Sequence, residues 1–366
     1  MLPSNSFSRF LLASSGTILM VAIAAAESQV NVPSNESSAG ATSSVAAKSS
    51  VESKARVVEA DRMAKLDDMD FNIFTNKQWD RIKESHTREV WVESAFGVTN
   101  GLPVHIDGMK GLADFMPDMR ITAHPVKVAD GEWTGITAIF EGTFTKPMAN
   151  PQGGTAILPT GRSYKGTIAT ISHWKGSLMD KEYVFMDMGD FAQQLGIAPG
   201  PASVKGDPGP IPFSGENAAV TAAEIKRRMG VLDNMDFVVW TNQEWNKIPE
   251  SHADNVIAVY PDGRVSKGLK QHTEDMKWMF TWAPDSRIRE HPVKFGQGDW
   301  TVLIGVMEGT FTKPMAMPGG KPIAPTGKAF KVPMATYSHW NKAGKMDMEY
   351  VFWDNASWMK QIGVTS

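Results

Sequence analysis

The sequence predicts an α+β protein built as two copies of one domain. Three observations predict it: helical periodicity precedes strand periodicity, the whole order recurs at a shift of 166 or 167 residues, and Pro- and Gly-rich turns separate the strand-like runs. Met69-Asp70-Phe71 returns as Met235-Asp236-Phe237, His124-Pro125-Val126-Lys127 as His291-Pro292-Val293-Lys294, and Glu141 to Met148 returns unchanged as Glu308 to Met315. Pro159-Thr160-Gly161 returns as Pro325-Thr326-Gly327, and Glu182-Tyr183-Val184-Phe185 as Glu349-Tyr350-Val351-Phe352. This period is far longer than a solenoid unit, so each copy is a complete domain.

Within a copy, apolar residues at helical spacing come first: Val58, Met63 and Leu66, matched by Ile225, Met229 and Leu232. A short helix follows near Asn76 to Ile82, and a third spans Gly108 to Phe115. Antiparallel strands are then expected over Trp133 to Phe140, Lys165 to Trp174 and Lys181 to Met188, which are rich in Thr, Ile, Val and aromatic residues. Final helices cover Phe191 to Leu195 and Trp358 to Ile362.

The 366-residue chain divides accordingly. Residues 1–26 read as a secretory signal, with Arg9, an apolar run and Ala24-Ala25-Ala26 as a cleavage site. Residues 27–51 are a flexible tether poor in bulky apolar side chains. The domains occupy 52–196 and 217–366, and the intervening 197–216 is a Pro- and Gly-rich linker. A balance of 37 basic and 40 acidic residues leaves no basic excess for a nucleic-acid backbone. Without cysteine there is no disulfide, lipoprotein anchor or thiolate metal site, which suits a periplasmic or secreted protein. No second apolar run exists, so no membrane span is expected after processing.

All eight histidines fall into matched pairs: His86 with His252, His105 with His272, His124 with His291, and His173 with His339. His105 with Asp107, and His272 with Glu274, suggest metal ligands. They precede a predicted helix, however, where Asp107 and Thr273 serve as N-caps, and no further ligand pair is visible, so no metal is expected. The strongest catalytic candidates are His173 with Asp187 and His339 with Asp354. By strand alternation Tyr183, Phe185 and Asp187 share one face, as do Tyr350, Phe352 and Asp354. If that face lines a pocket, with Trp133 and Trp300 nearby, desolvation prepares the carboxyl for acid/base work. The competing role for both aspartates is capping of the final helix.

These residues carry a resemblance. Pro284-Asp285, Gly298-Asp299-Trp300, Gly309-Thr310-Phe311-Thr312, Pro325-Thr326-Gly327-Lys328, Met348 to Asp354 and Gln361-Ile362-Gly363 occur in an order similar to that of the SnoaL-like polyketide cyclases, or ester cyclases, of the NTF2-like superfamily. The first copy keeps Pro117-Asp118, Gly131-Glu132-Trp133, Gly142-Thr143, Pro159-Thr160-Gly161, Asp187 and Gln194-Leu195-Gly196. The resemblance implies a cone in which a curved antiparallel sheet and about three helices enclose an apolar pocket. It implies acid/base chemistry without a cofactor, with an Asp near the end of the last strand assisted by a His on the preceding one, positions matched by Asp187 with His173 and Asp354 with His339. It also implies that the two copies pack as an intramolecular pseudo-dimer. The expected function is cyclase- or isomerase-like catalysis on a small apolar carbonyl compound or ester. The alternative is a non-catalytic periplasmic protein that binds such a ligand.

Overall fold

The computed structural model describes residues 40–150, 153–198, 205–212, 220–316 and 321–364. The expected signal segment and the tether before residue 40 lie outside the described residues. Helix α1 (Gly40–Asp68) begins inside the stretch expected to be a tether, where Ala41, Ala46, Ala47 and Lys48 favour helix. Strands β1 (His86–Ser94), β2 (Gly97–Asn100), β3 (Arg120–Asp130), β4 (Trp133–Thr143), β5 (Ser163–Lys175) and β6 (Leu178–Phe185) form one sheet, with α2 (Leu102–Phe115) between β2 and β3 and α3 (Met188–Leu195) after β6. The sheet order is β2-β1-β6-β5-β4-β3.

The second copy repeats this arrangement. Its elements are α4 (Ala222–Asn234), a single turn α5 (Ile248–Ser251), β7 (His252–Val259), β8 (Val265–Lys267), α6 (Leu269–Trp282), β9 (Arg287–Ile288), β10 (Val293–Gln297), β11 (Trp300–Thr310), β12 (Ala329–Trp340), β13 (Met346–Phe352) and α7 (Asn355–Gln361). The sheet runs β10-β11-β12-β13-β7-β8, with β9 paired to β11. The chain is therefore α+β, two domains that each wrap one curved sheet with helices, as expected. The sheets are mixed and not wholly antiparallel, because β1 pairs with β6, and β7 with β13, in parallel. Strands β1 and β7 carry Glu, Asp, Arg and Asn on their open faces, which masks their strand character in the sequence.

At the end of α1 the backbone widens into a π turn, Met69–Phe74, and α4 does the same at Met235–Trp240. Such insertions re-aim side chains and gather at functional sites. Here they bring Asp70 and Asp236 to the cavity walls.

Several repeated motifs hold this frame together. Asp118 Oδ1 accepts from Thr143 N at 2.7 Å, and Asp285 Oδ1 from Thr310 N at 2.8 Å. Thr160 and Thr326 donate to the C-terminal carbonyls of Leu195 and Ile362, closing the final helices onto the loop before β5 or β12. Trp174 Nε1 donates to Thr134, and Trp340 Nε1 to Thr301, both at 2.8 Å, so each buried indole is satisfied.

One face of each sheet encloses its cone and the other packs against the other copy. Val126, Val128, Ala169, Ile171 and Phe185 meet Phe295, Val302, Tyr337, Tyr350 and Phe352 in a shared core. Tyr337 Oη lies 3.0 Å from the carbonyls of Ile136 and Thr170 in the opposite copy. Gly135 permits this contact, since a Cβ there would lie 3.1 Å from both the Tyr337 hydroxyl and the Phe295 ring. The described part of the expected linker also packs: Gly206 N donates to Gly263 O at 2.8 Å, and Lys205 pairs with Asp190 at 2.5 Å.

Candidate active site

The expected His and Asp pairs do not form. Across β5 and β6, Ala169 faces Phe185 and His173 faces Lys181, so Asp187, two positions past Phe185, is displaced from His173 by six residues, about 20 Å along the strand. Across β12 and β13, Ala335 faces Phe352 and His339 faces Met348, which separates Asp354 from His339 in the same way. His173 Nδ1 instead bonds Asp180, and His339 Nδ1 bonds Asp347, each at 2.6 Å.

Asp187 and Asp354 cap the final helices, the competing role recognised in the sequence. Asp187 Oδ1 accepts from Gly189 N at 2.9 Å, and Asp354 accepts from Ala356 N and Ser357 N. Each also reaches the other copy: Asn355 Nδ2 donates to Asp187 Oδ2 at 2.7 Å, and Met188 N to Asp354 Oδ1 at 3.0 Å. Burial pushes Asp187 up to about 6 and Asp354, which also faces the Asp187 charge, up to about 7.

The expected aromatic face also lies on the other side of the sheet. Tyr183, Phe185, Tyr350, Phe352, Trp133 and Trp300 belong to or pack against the core between the copies, not the cavities. The cavity-facing positions of the last strands are Glu182, Val184 and Met186, and Glu349, Val351 and Trp353. A one-residue phase error exchanges the two faces completely.

Two polar clusters stand on the cavity walls of each copy. The first is built on the π turn. His124 on β3 bonds Asp70 through Nε2 and Asp67 through Nδ1, both at 2.8 Å, and Phe71 packs against its ring. His291 bonds Asp236 at 2.9 Å and Asp233 at 2.8 Å in the same fashion. Burial raises the pKa of Asp70 and Asp236, with the imidazole bond opposing. Burial disfavours charge on His124 and His291 as well, yet the two flanking carboxylates outweigh it and raise both. Asp67 and Asp233 are about one-third exposed, so each cluster links the cavity to solvent.

The second cluster centres on the last-strand glutamate. Glu182 Oε2 lies 3.8 Å from His86 Nε2 and 3.6 Å from His105 Nε2, while Glu349 Oε2 lies 3.3 Å from His252 and 3.2 Å from His272. Burial lowers His105 to about 4. It opposes ionisation of Glu182 and Glu349, but the adjacent imidazoles hold both below the ordinary carboxylate range. His105 and Asp107 lie inside α2, whose N-cap is Gly101, so Asp107 caps nothing and is half exposed beside Lys110. Thr273 likewise lies within α6, whose N-cap is Gly268.

The cavities differ. The first, about 150 Å³, is walled by Phe74, Phe96, Phe140, Ile168 and Met186. The second, about 1490 Å³, is walled by Trp240, Met279, Met307, Met334 and Trp353, and continues along α3 of the first copy from Asp187 to Gln193. A buried volume of about 150 Å³ suits a benzene-sized guest.

Sequence reasoning had the clues for both clusters. His86, His105 and His124 were all recognised as repeated, and Glu182 and Asp70 stood inside repeated motifs. What the sequence did not show was that β1, β6 and α2 converge, since their residues are far apart along the chain.

Known proteins resemble parts of this chain. Residues 233–362 match the family model of the SnoaL-like polyketide cyclases. Among solved structures, a candidate SnoaL-like polyketide cyclase from Jannaschia sp. CCS1 is 14% identical and covers 41% of this chain and 100% of its own, with a TM-score of 0.35. IdmH from Streptomyces antibioticus, a candidate polyketide cyclase, is 16% identical over 38% of this chain and 99% of its own, TM-score 0.32. A protein of ketosteroid isomerase-like fold from Catenulispora acidiphila DSM 44928, in complex with trimethylamine, is 15% identical over 38% of this chain and 95% of its own, TM-score 0.31. The comparison with curated proteins found no match.

Proposed function

We propose that the second copy, whose residues carry the SnoaL-like match, catalyses proton transfer at a carbon beside a carbonyl in a small apolar compound or ester, a cyclase- or isomerase-type reaction. The observation that carries this reading is Asp236, a half-buried carboxyl on the wall of an apolar cavity, held by an imidazole that a second carboxylate holds in turn. With Oδ2 fixed by His291, Asp236 takes the proton on its other oxygen. That proton is returned to the substrate or exchanged with solvent, while His291 stays held by Asp233, which reaches solvent and is tied to Lys294 at 2.5 Å. Positioned proton transfer of this kind contributes roughly 10²–10⁴-fold. Asp70, His124 and Asp67 repeat the device in the first copy around a much smaller cavity, so large substrates are handled by the second.

The test is deuterium wash-in from heavy water at the α-carbon of a panel of apolar ketones and β-keto esters, followed by NMR. Exchange above buffer for at least one compound is expected, and Asp236→Asn should reduce it roughly 10²-fold or more. Exchange that is equal in the variant would remove Asp236 from the chemistry. Exchange absent throughout the panel would favour a carrier of apolar ligands.

The proposal also places the protein outside the cytoplasm. Its support is the leader-like run ending at Ala24-Ala25-Ala26 and the absence of cysteine. Among the described residues no helix is long and apolar enough to cross a membrane.

A further inference from the structure

We propose that each cone is built to hold one divalent first-row transition metal ion, on His252, His272 and Glu349 in the second copy and on His86, His105 and Glu182 in the first. In each set the three ligand atoms lie within 4.8 Å of one another. In the second copy the Glu349 oxygen stands 3.3 and 3.2 Å from the two Nε2 atoms, close to the ~3.3 Å edge of a tetrahedron with metal bonds of about 2.0–2.1 Å. The first copy, at 3.8 and 3.6 Å, needs to contract by a few tenths of an ångström.

The surrounding hydrogen bonds allow the serine-linked imidazoles, His86 and His252, to turn an Nε2 lone pair toward an ion. Ser251 Oγ lies 3.1 Å from the Ile248 carbonyl and 2.8 Å from His252 Nδ1, so with its proton given to the carbonyl it accepts from Nδ1. Ser85 does the same between Ile82 and His86, at 3.1 and 2.9 Å. With hydrogen on Nδ1, Nε2 of His86 and of His252 is free to ligate an ion, in place of the 3.3 Å hydrogen bond that His252 Nε2 otherwise makes to Glu349 Oε2. The Nε2 atoms of His86, His105 and His272 are buried without a hydrogen-bond partner. Two imidazoles and one carboxylate that converge in this way suit a first-row divalent ion with open positions. Serine-anchored imidazoles are the outer-shell support such sites use. All three ligands of the second set border the cavity, so an ion there would face the substrate and act as a Lewis acid on its carbonyl oxygen. The inference stands on this geometry and not on the acid/base reading.

The experiment uses the full chain without a histidine tag, stripped with a chelator and titrated with Co²⁺ at neutral pH while the visible d–d absorption and bound metal are measured. Two ions per chain are expected, with Glu349→Gln and Glu182→Gln each removing one at unchanged far-ultraviolet circular dichroism. Ser251→Ala should weaken the second site by about 10- to 100-fold. A single ion lost only in Glu349→Gln would uphold the second site and overturn the first. No uptake by the wild-type chain, or uptake indifferent to both substitutions, would overturn the proposal and assign the clusters to protonated imidazoles paired with glutamate.

Discussion

Asp354 and Asp187 meet across the junction of the two copies, each capping its own helix and each held by a group from the opposite copy. Because burial raises both above their ordinary value of 3.8, their protonated forms stabilise the fold at low pH, and that stability is lost as pH rises from about 4 to about 7. The expected size is on the order of a few kcal/mol. Thermal melts across that range should therefore show a smaller fall in stability for Asp354→Asn than for the wild-type chain. Asp236 has the same direction of shift with a different consequence. As a base it must be ionised, so the acid limb of the rate profile should rise at a pH above the ordinary aspartate range, and His291→Gln should displace that limb. The repeat identified the correct residue types in the sequence, but His173 and Asp187 looked like a pair only because strand ends were counted without register.

At the scale of elements, the difficulty was the sheet with two buried faces. The middle of β4 and β11 is buried residue after residue, so alternation offers no phase and the cavity face cannot be told from the face between the copies. The order of helices and strands was legible because it needs only periodicity and turns. The convergence of β1, β6 and α2 was not, because it depends on a parallel pairing between strands far apart in sequence. Gly135 tests the account of the outer face. Gly135→Val places methyl groups against Tyr337 and Phe295, and overpacking of this kind should cost about 1–3 kcal/mol, read as a lowered urea midpoint with the slope preserved.

For the whole molecule, duplication has produced a pseudo-dimer whose halves differ. Tyr337 supplies a cross-copy hydrogen bond from the second half, while its counterpart in the repeat is Ile171, so the contact is made once. Tyr337→Phe should lower stability by about 1 kcal/mol. The enlarged second cavity, with methionines where the first has Phe140 and Ile168, points to division of labour: Met adapts to an irregular guest, and the first copy contributes α3 to the rim. On the proposed function, chemistry resides on the cavity wall and not at the ends of the last strands. Deuterium wash-in measured side by side for Asp236→Asn and Asp354→Asn tests it most directly. Loss in the first variant with wild-type exchange in the second is the predicted result, and the reverse pattern would contradict it.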